Sequence, residues 1–320
     1  MDLIIYHADC HDGFCCAWLC HRVWPDAEYL PVHHDDTPPD VAGRRVLIAD
    51  FSFSRFQLNH MLATAQSLLV LDHHKSAWVD LSEPCPSCEY GTVRWPLEDG
   101  GSPLMECGRC GGKSRIPLPF VRFDQEKSGG RLTWEYLVER FATGQDAIPF
   151  FSQLTPWLVD FTEDRDLWKW KLPNSRAINA ALRSYPMDFA EWGDMAKFLD
   201  PTAYWSSGSL INEGEAILRY QDKLIEQHVQ RAGVVMIGGH KVLCVNCTCL
   251  DLASEIAGAL AEDRPFGACW HEEPDGRRVY QLRSRDGGGG GIDVLEVAKR
   301  YGGGGHARAS GFTLGTGVGP

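Results

Sequence analysis

No apolar run in the chain approaches the roughly 20 residues that a membrane-spanning helix needs. The amino end, Met1-Asp2-Leu3-Ile4-Ile5, also lacks the basic start of a secretory signal. Both absences lead to the expectation of a soluble, cytoplasmic protein with no membrane partner. Positive charge is scarce too: 31 Lys and Arg face 43 Asp and Glu, for a net charge of −12. That balance argues against a long duplex as the main partner, because duplex binders meet phosphates with a basic face. Cysteine is plentiful at 12 residues, but a chain of 320 is far longer than the disulfide-dense secreted scaffolds. Metal ligation plus buried thiols in a reducing compartment accounts for these cysteines better.

The pattern along the chain is α/β in two domains. Apolar runs at 3–6, 28–32, 45–49 and 68–71 read as strands, with helical spacing at 14–24 and 56–65 between them. Buried strands alternating with helices predict a parallel sheet, whose ligands bind beyond the carboxyl ends of the strands. Residues 83–119, rich in Cys, Gly and Pro, interrupt this pattern as an insertion, and helical spacing resumes from Arg131 to about Leu199. These residues make a first domain over 1–205. An amphipathic stretch over 206–232 reads as a linker helix. A smaller α/β domain over 233–320 follows, with strands near 234–237, 241–246, 266–271 and 278–284 and helices at 251–262 and 292–300. It contains two Gly runs, Gly287–Gly291 and Gly302–Gly305.

Three predicted strands end in metal-binding residue types. The segment His7-Ala8-Asp9-Cys10-His11-Asp12-Gly13 forms a strand-to-helix turn, Asp50 ends the third strand, and Asp72-His73-His74 ends the fourth. Carboxylate oxygen suits Mg²⁺ and Mn²⁺, and imidazole suits the softer Mn²⁺. Any one of these segments alone reads as a turn or a surface patch. Three of them at one edge of a parallel sheet point to a metal centre.

Asp72-His73-His74 resembles the signature of the DHH phosphoesterases. His7…Asp12-Gly13 and Asp50 are similar to that family's first two motifs. Ser128-Gly129…Leu132-Thr133-Trp134 resembles the stretch after the signature, and Asp164-Arg165-Asp166-Leu167-Trp168 the fourth motif. Leu282-Arg283-Ser284 and Gly303-Gly304-Gly305-His306…Ser310-Gly311 resemble the DHH-associated substrate-binding domain. The resemblance implies a parallel-sheet catalytic domain and two Mn²⁺ or Mg²⁺ ions. The ions would be held by His7, Asp12, Asp50, Asp72, His74 and Asp164, with Asp166 as second choice to Asp164. Asp72 would bridge them, and Asp9 or His11 would stand in for an aspartate that Phe14 replaces. Asp72, His73 and His306 would act on the substrate, while Arg283, Ser284, Gly304, Gly305, His306 and Arg308 would bind its phosphates. The implied activity is hydrolysis of phosphodiester bonds in short oligonucleotides or small (di)nucleotides. A phosphomonoesterase or polyphosphatase is the alternative, and a nucleic-acid-binding module with weak catalysis is the alternative from another class.

The insertion carries a second signal. Cys85-Pro86-Ser87-Cys88 and Cys107-Gly108-Arg109-Cys110 are C-x-x-C pairs with 18 residues (89–106) between them. That spacing fits a tetrahedral, structural Zn²⁺ site with no open position. Cys10, Cys15, Cys16 and Cys20 read as core, Cys244, Cys247 and Cys249 as packed thiols, and His33-His34-Asp35-Asp36 as a solvated turn.

Overall fold

Residues with branched or long apolar side chains crowd three of the first four strands, and those three are buried on both faces. Leu3, Ile4, Ile5, Val46, Leu47, Ile48, Val70 and Leu71 are all 0% exposed, the pattern of a parallel sheet covered on both sides. The computed structural model describes residues 1–34, 36–94, 104–152, 154–197, 210–247, 249–285 and 292–320. It divides into two compact units, Met1–Ser209 and Leu210–Pro320.

In the first unit, β1 (Leu3–His7), α1 (His11–His21), β2 (Glu28–Val32), β3 (Arg45–Ala49), α2 (Arg55–Thr64) and β4 (Ser67–Asp72) follow in order. A short α3 (Trp78–Leu81) leads into the insertion. There β5 (Ser82–Pro84) pairs with β8 (Arg115–Pro117), and β6 (Thr92–Arg94) with β7 (Leu104–Glu106). After it, β9 (Val121–Phe123) joins the main sheet, which is parallel throughout in the order β2-β1-β3-β4-β9. Helix α2 opens with a capping box, in which Ser54 and Gln57 satisfy each other's backbone amides. Its Leu58 and Met61 pack on Leu3, Ile5, Val46 and Ile48, while α1 covers β1 from the side that alternation leaves to Ile4.

The helical spacing over 131–199 resolves into separate helices: α4 (Gly129–Phe141), α5 (Trp157–Asp166), α6 (Ser175–Leu182) and α7 (Phe189–Met195). Pro149, Pro156, Pro173 and Pro186 fall in the connections between them, where proline interrupts a helix.

The second unit begins with α8 (Leu210–Val229), read from the sequence as a linker. Its Leu224 and Ile225 pack against the core of this unit. β10 (Gly233–Ile237), β11 (His240–Asn246), α9 (Ala253–Leu260), β12 (Gly267–Glu272), β13 (Arg278–Arg283), α10 (Val294–Lys299), β14 (Gly304–Gly305) and β15 (Ala309–Leu314) follow. The mixed sheet runs β10-β11-β12-β13-β15-β14, with β11–β12 its parallel pair. The Gly287–Gly291 run lies outside the described residues. Of the second run, Gly304 and Gly305 form β14, and the hairpin itself explains the glycines. A Cβ on Gly303 would lie 2.0 Å from the Gly311 carbonyl oxygen, and one on Gly305 would lie 2.5 Å from that of Ala309.

No described helix is long and apolar enough to cross a membrane.

Gly267 is a second point of close approach: its added Cβ would lie 2.2 Å from the Ala257 carbonyl oxygen, whereas a Cβ on Gly233 meets nothing within 4 Å. We expect Gly267→Ala to destabilise the protein by about 2 kcal/mol or more, the scale of core overpacking. Gly233→Ala should stay within about 0.5 kcal/mol of the parent. Urea unfolding of both variants measures the difference.

Candidate metal centre

The turn after β1 places Asp12 beneath the sheet edge, and glycine makes this possible. A Cβ on Gly13 would lie 2.4 Å from the His7 carbonyl oxygen. The Asp12 carboxylate reaches across to the start of α4, where Gly129 and Gly130 donate their amides to it at 2.6 and 2.9 Å. A helix amino terminus suits a carboxylate because its first amides lack partners within the helix. Close approach again requires glycine: a Cβ on Gly129 would lie 2.6 Å from Asp50 Cβ. Asp50 itself adopts a left-handed backbone (φ 55°), an uncommon conformation for a residue other than glycine and one found at functional sites.

Four carboxylates and three imidazoles meet here. His73 Nε2 lies 3.0 Å from Asp50 Oδ1, 3.6 Å from Asp166 Oδ2 and 3.8 Å from Asp12 Oδ2. His7 Nδ1 is 3.6 Å from the other Asp50 oxygen. Asp72 accepts the backbone amides of His73 and His74 and sits 2.7 Å from His74 Nδ1. Asp12, Asp50, Asp72 and His73 are at most 1% exposed. Burial, with Asp50 and Asp166 close by, pushes the Asp12 carboxyl well above the usual range. Burial acts on Asp50 in the same direction, but the imidazoles of His7 and His73 overcome it and hold Asp50 well below. Burial would lower His73, yet the charges of Asp166 and Asp50 and its hydrogen bond to Asp50 raise it to about 10. Asp72 Oδ2 and Asp166 Oδ2 are enclosed without a hydrogen-bond partner. Buried carboxylates in such excess fit a divalent cation, and the ligand atoms form two carboxylate-containing groups that do so. His7, Asp50 and His74 form one and Asp12, Asp50 and His73 the other, each with all atoms within 4.8 Å of one another.

Three expectations from the sequence change. The expected ligand Asp164 is buried, but its carboxylate accepts the amides of Lys171 and Leu172 at 2.9 and 3.3 Å. Asp166, two residues on, enters the cluster in its place. The carboxylate common to both groups is Asp50, where Asp72 was the expected bridge. Asp9 lies outside: its side chain is 86% exposed and pairs with His33. His11 does not substitute either, since it packs on Trp192 and burial drives its pKa down to about 3.

Two neighbours escaped the sequence reading. The His34 ring lies 5.2 Å from that of His7, and the Cys10 thiol donates to Asp50 at 3.4 Å. His34 follows β2, the neighbour of β1 in the sheet, which is the signal that would have found it.

In the insertion, the Cys85 and Cys107 sulfurs are 3.9 Å apart and those of Cys88 and Cys110 are 3.5 Å apart. All four lie within 4.8 Å of one another. A zinc tetrahedron with Zn–S near 2.3 Å has edges of about 3.8 Å, so the sulfurs already stand at ligand spacing. The Cys110 and Arg109 amides hold the Cys107 thiol down to about 7, while burial among the other three sulfurs pushes Cys88 up to about 12.

In the second unit, Arg283 donates to Ser254 Oγ at 2.6 Å, and the Ser284 amide donates to the Arg308 carbonyl at 3.1 Å. His306 closes the β14–β15 turn through its amide to Ala309, and Ser310 Oγ donates to the His306 carbonyl. Arg283, Ser284, Gly304, Gly305, His306 and Arg308 thus share one end of the β13–β15–β14 sheet edge.

The two aspartates of α5 should separate cleanly on substitution. Asp164→Ala strands two backbone amides and should lower stability by about 1–3 kcal/mol. Asp166→Ala removes a like charge from the cluster and should leave stability nearly unchanged or higher, but weaken Mn²⁺ binding. Paired thermal melts and Mn²⁺ titration calorimetry check both.

No protein-family model matches the sequence. The chain is 24% identical to an uncharacterized protein of Acanthamoeba polyphaga mimivirus, over 98% of this chain and 68% of that protein. Among solved structures, an uncharacterized protein from Helicobacter pylori aligns with a TM-score of 0.39 and 13% identity, over 98% of this chain and 92% of that one. The pGpG-specific phosphodiesterase PggH from a Vibrio aligns with a TM-score of 0.41 and 14% identity, over 98% and 93%. The chain is also 24% identical to the oligoribonuclease NrnB of Bacillus subtilis, over 81% of this chain and 55% of that protein, so it spans little more than half of the enzyme's length.

Proposed function

We propose that the protein is a metal-dependent phosphodiesterase of the DHH type that cleaves short oligonucleotides or small dinucleotides. The observation that carries this reading is the cluster of buried Asp12, Asp50, Asp72 and His73 with half-buried Asp166, His7 and His74 at the carboxyl edge of a parallel sheet. The sequence similarity to an oligoribonuclease supports the choice of substrate. His7, Asp50 and His74 would hold one Mn²⁺ or Mg²⁺, and Asp12, Asp50, His73 and Asp166 the other, with Asp72 as a further carboxylate. Bound there, such ions supply positive charge for a phosphoryl oxygen and acidify water.

The protein's own groups do the rest. Asp50 fixes the direction of the His73 ring, and Asp72 that of the His74 ring, through their hydrogen bonds. The α4 amides hold Asp12 in place, so the cluster is organised before substrate arrives. In the second unit, Arg283, Ser284, His306 and Arg308, with the Gly304–Gly305 backbone, are proposed to bind substrate phosphates, since a guanidinium pairs with phosphate in a planar, bidentate fork. The thiolate cluster is proposed to hold one structural Zn²⁺.

Asp50→Ala should lower kcat on a linear dinucleotide by about a thousandfold, the scale of losing several kcal/mol of transition-state stabilisation. EDTA should abolish the parent's turnover and Mn²⁺ should restore it. Retention of near-normal kcat by Asp50→Ala would place the chemistry elsewhere. Assayed alongside, polyphosphate and phosphomonoesters should be poor substrates.

Protein purified without chelators should contain one zinc per chain by elemental analysis, and Cys107→Ser should lose it. The same substitution should make residues 83–119 sensitive to limited proteolysis, because the ion supplies the folding energy of such a segment.

A further inference from the structure

Asp164, displaced from the metal centre, is the spool of a loop. Its carboxylate takes the amides of Lys171 and Leu172, and its carbonyl takes those of Lys169 and Trp170 at 2.8 and 3.3 Å. Lys169 is tied down on the other side, to Glu163 at 3.2 Å and to the Glu126 carbonyl at 3.3 Å. The loop is therefore held firmly, directly after Asp166.

Two tryptophans in this loop are left-handed, Trp168 at φ 54° and Trp170 at φ 49°. A bulky residue adopts that conformation at a cost that glycine would not bear. Bulky residues held in that conformation cluster at functional sites. Trp168, at 39%, is the most exposed tryptophan among the described residues, while Trp18, Trp134, Trp157 and Trp192 are buried. The Trp170 ring stands edge-on to it, with centroids 5.1 Å apart at 72°. That contact buttresses the Trp168 ring while leaving it 39% exposed. An exposed indole on a braced loop, two residues from a carboxylate of the metal centre, has the properties of a stacking platform.

We propose that Trp168 stacks on a nucleobase of the substrate, so that the site selects nucleotides over other phosphodiesters. This inference rests on the phosphodiesterase reading and adds the base as a recognised element. Every base has a π-face, so the platform favours nucleotides without distinguishing among bases. A group that binds the base equally before and during reaction acts on KM and leaves kcat alone.

The test compares a linear dinucleotide with an abasic analogue of the same sugar–phosphate backbone, using Trp168→Gly and Trp168→Phe. Glycine accepts the left-handed backbone, so Trp168→Gly removes the indole without imposing strain. Trp168→Gly should raise KM for the dinucleotide about tenfold with kcat nearly unchanged and leave the abasic analogue unaffected. Trp168→Phe should recover most of the loss. A non-hydrolysable dinucleotide carrying 2-aminopurine should lose fluorescence on binding the parent and keep it with Trp168→Gly. Equal losses on both substrates, or no loss on the dinucleotide, overturn the platform. If the parent cleaves neither substrate, the phosphodiesterase reading falls, and the 2-aminopurine titration still decides whether Trp168 stacks on a base.

Discussion

Four carboxylates, three of them fully buried, crowd the surroundings of His73, and much of the neighbouring structure makes that tolerable. The Asp12 and Asp50 ligand atoms lie within 4.8 Å of each other, and two unit charges that close repel by at least about 3.5 kcal/mol at an effective dielectric near 20. Each carboxylate therefore needs its own donors. Asp12 has the first amides of α4, Asp50 has His73 and the Cys10 thiol, and Asp72 has two backbone amides and His74. Asp166 Oδ2 has no hydrogen-bond donor and faces His73 across 3.6 Å. Burial and the neighbouring carboxylates push Asp12 upward, and the carboxylate charges push His73 upward. A divalent cation answers the same electrostatic demand without needing either shift.

The backbone pays attention to the same constraint. Gly13, Gly129 and Gly130 let β1, α1 and α4 approach until their polar ends converge, and Asp50 takes a left-handed conformation to turn its carboxylate inward. A side chain at Gly129 would strike Asp50 itself. These positions tie the helix amino terminus to the strand ends, so the fold and the cluster are organised by the same contacts.

The insertion shows the opposite balance. Among the described residues, its own buried cluster is Cys85, Cys107 and Cys110, with Cys88, Val93 and Ile116 packed against them. So few apolar side chains bury too little area to offset the conformational entropy of ordering the segment. Sulfur at ligand spacing is what the segment has in place of a core, which is why it can sit between β4 and β9 while the main sheet keeps its register across the gap.

The strand ends His7, Asp50 and Asp72 were legible in the sequence because an apolar run with a polar terminus reports both the strand and its end. The paired C-x-x-C motifs were legible for a similar reason, since ligand spacing along the chain is itself the signal. Asp164 and Asp166 could not be told apart that way: they lie two residues apart at the end of one helix, and only the winding of the following loop turns one carboxylate to the loop amides and the other to His73. Asp9 and Asp12 were divided by the turn after β1, which sends one side chain to solvent and the other under the sheet. His34 joined the group through the sheet order, with β2 beside β1, which sequence order alone does not state. Local pattern determined the elements and the residue types at their ends. Tertiary structure decided which of those residues meet, because direction and distance depend on contacts between segments far apart in the chain.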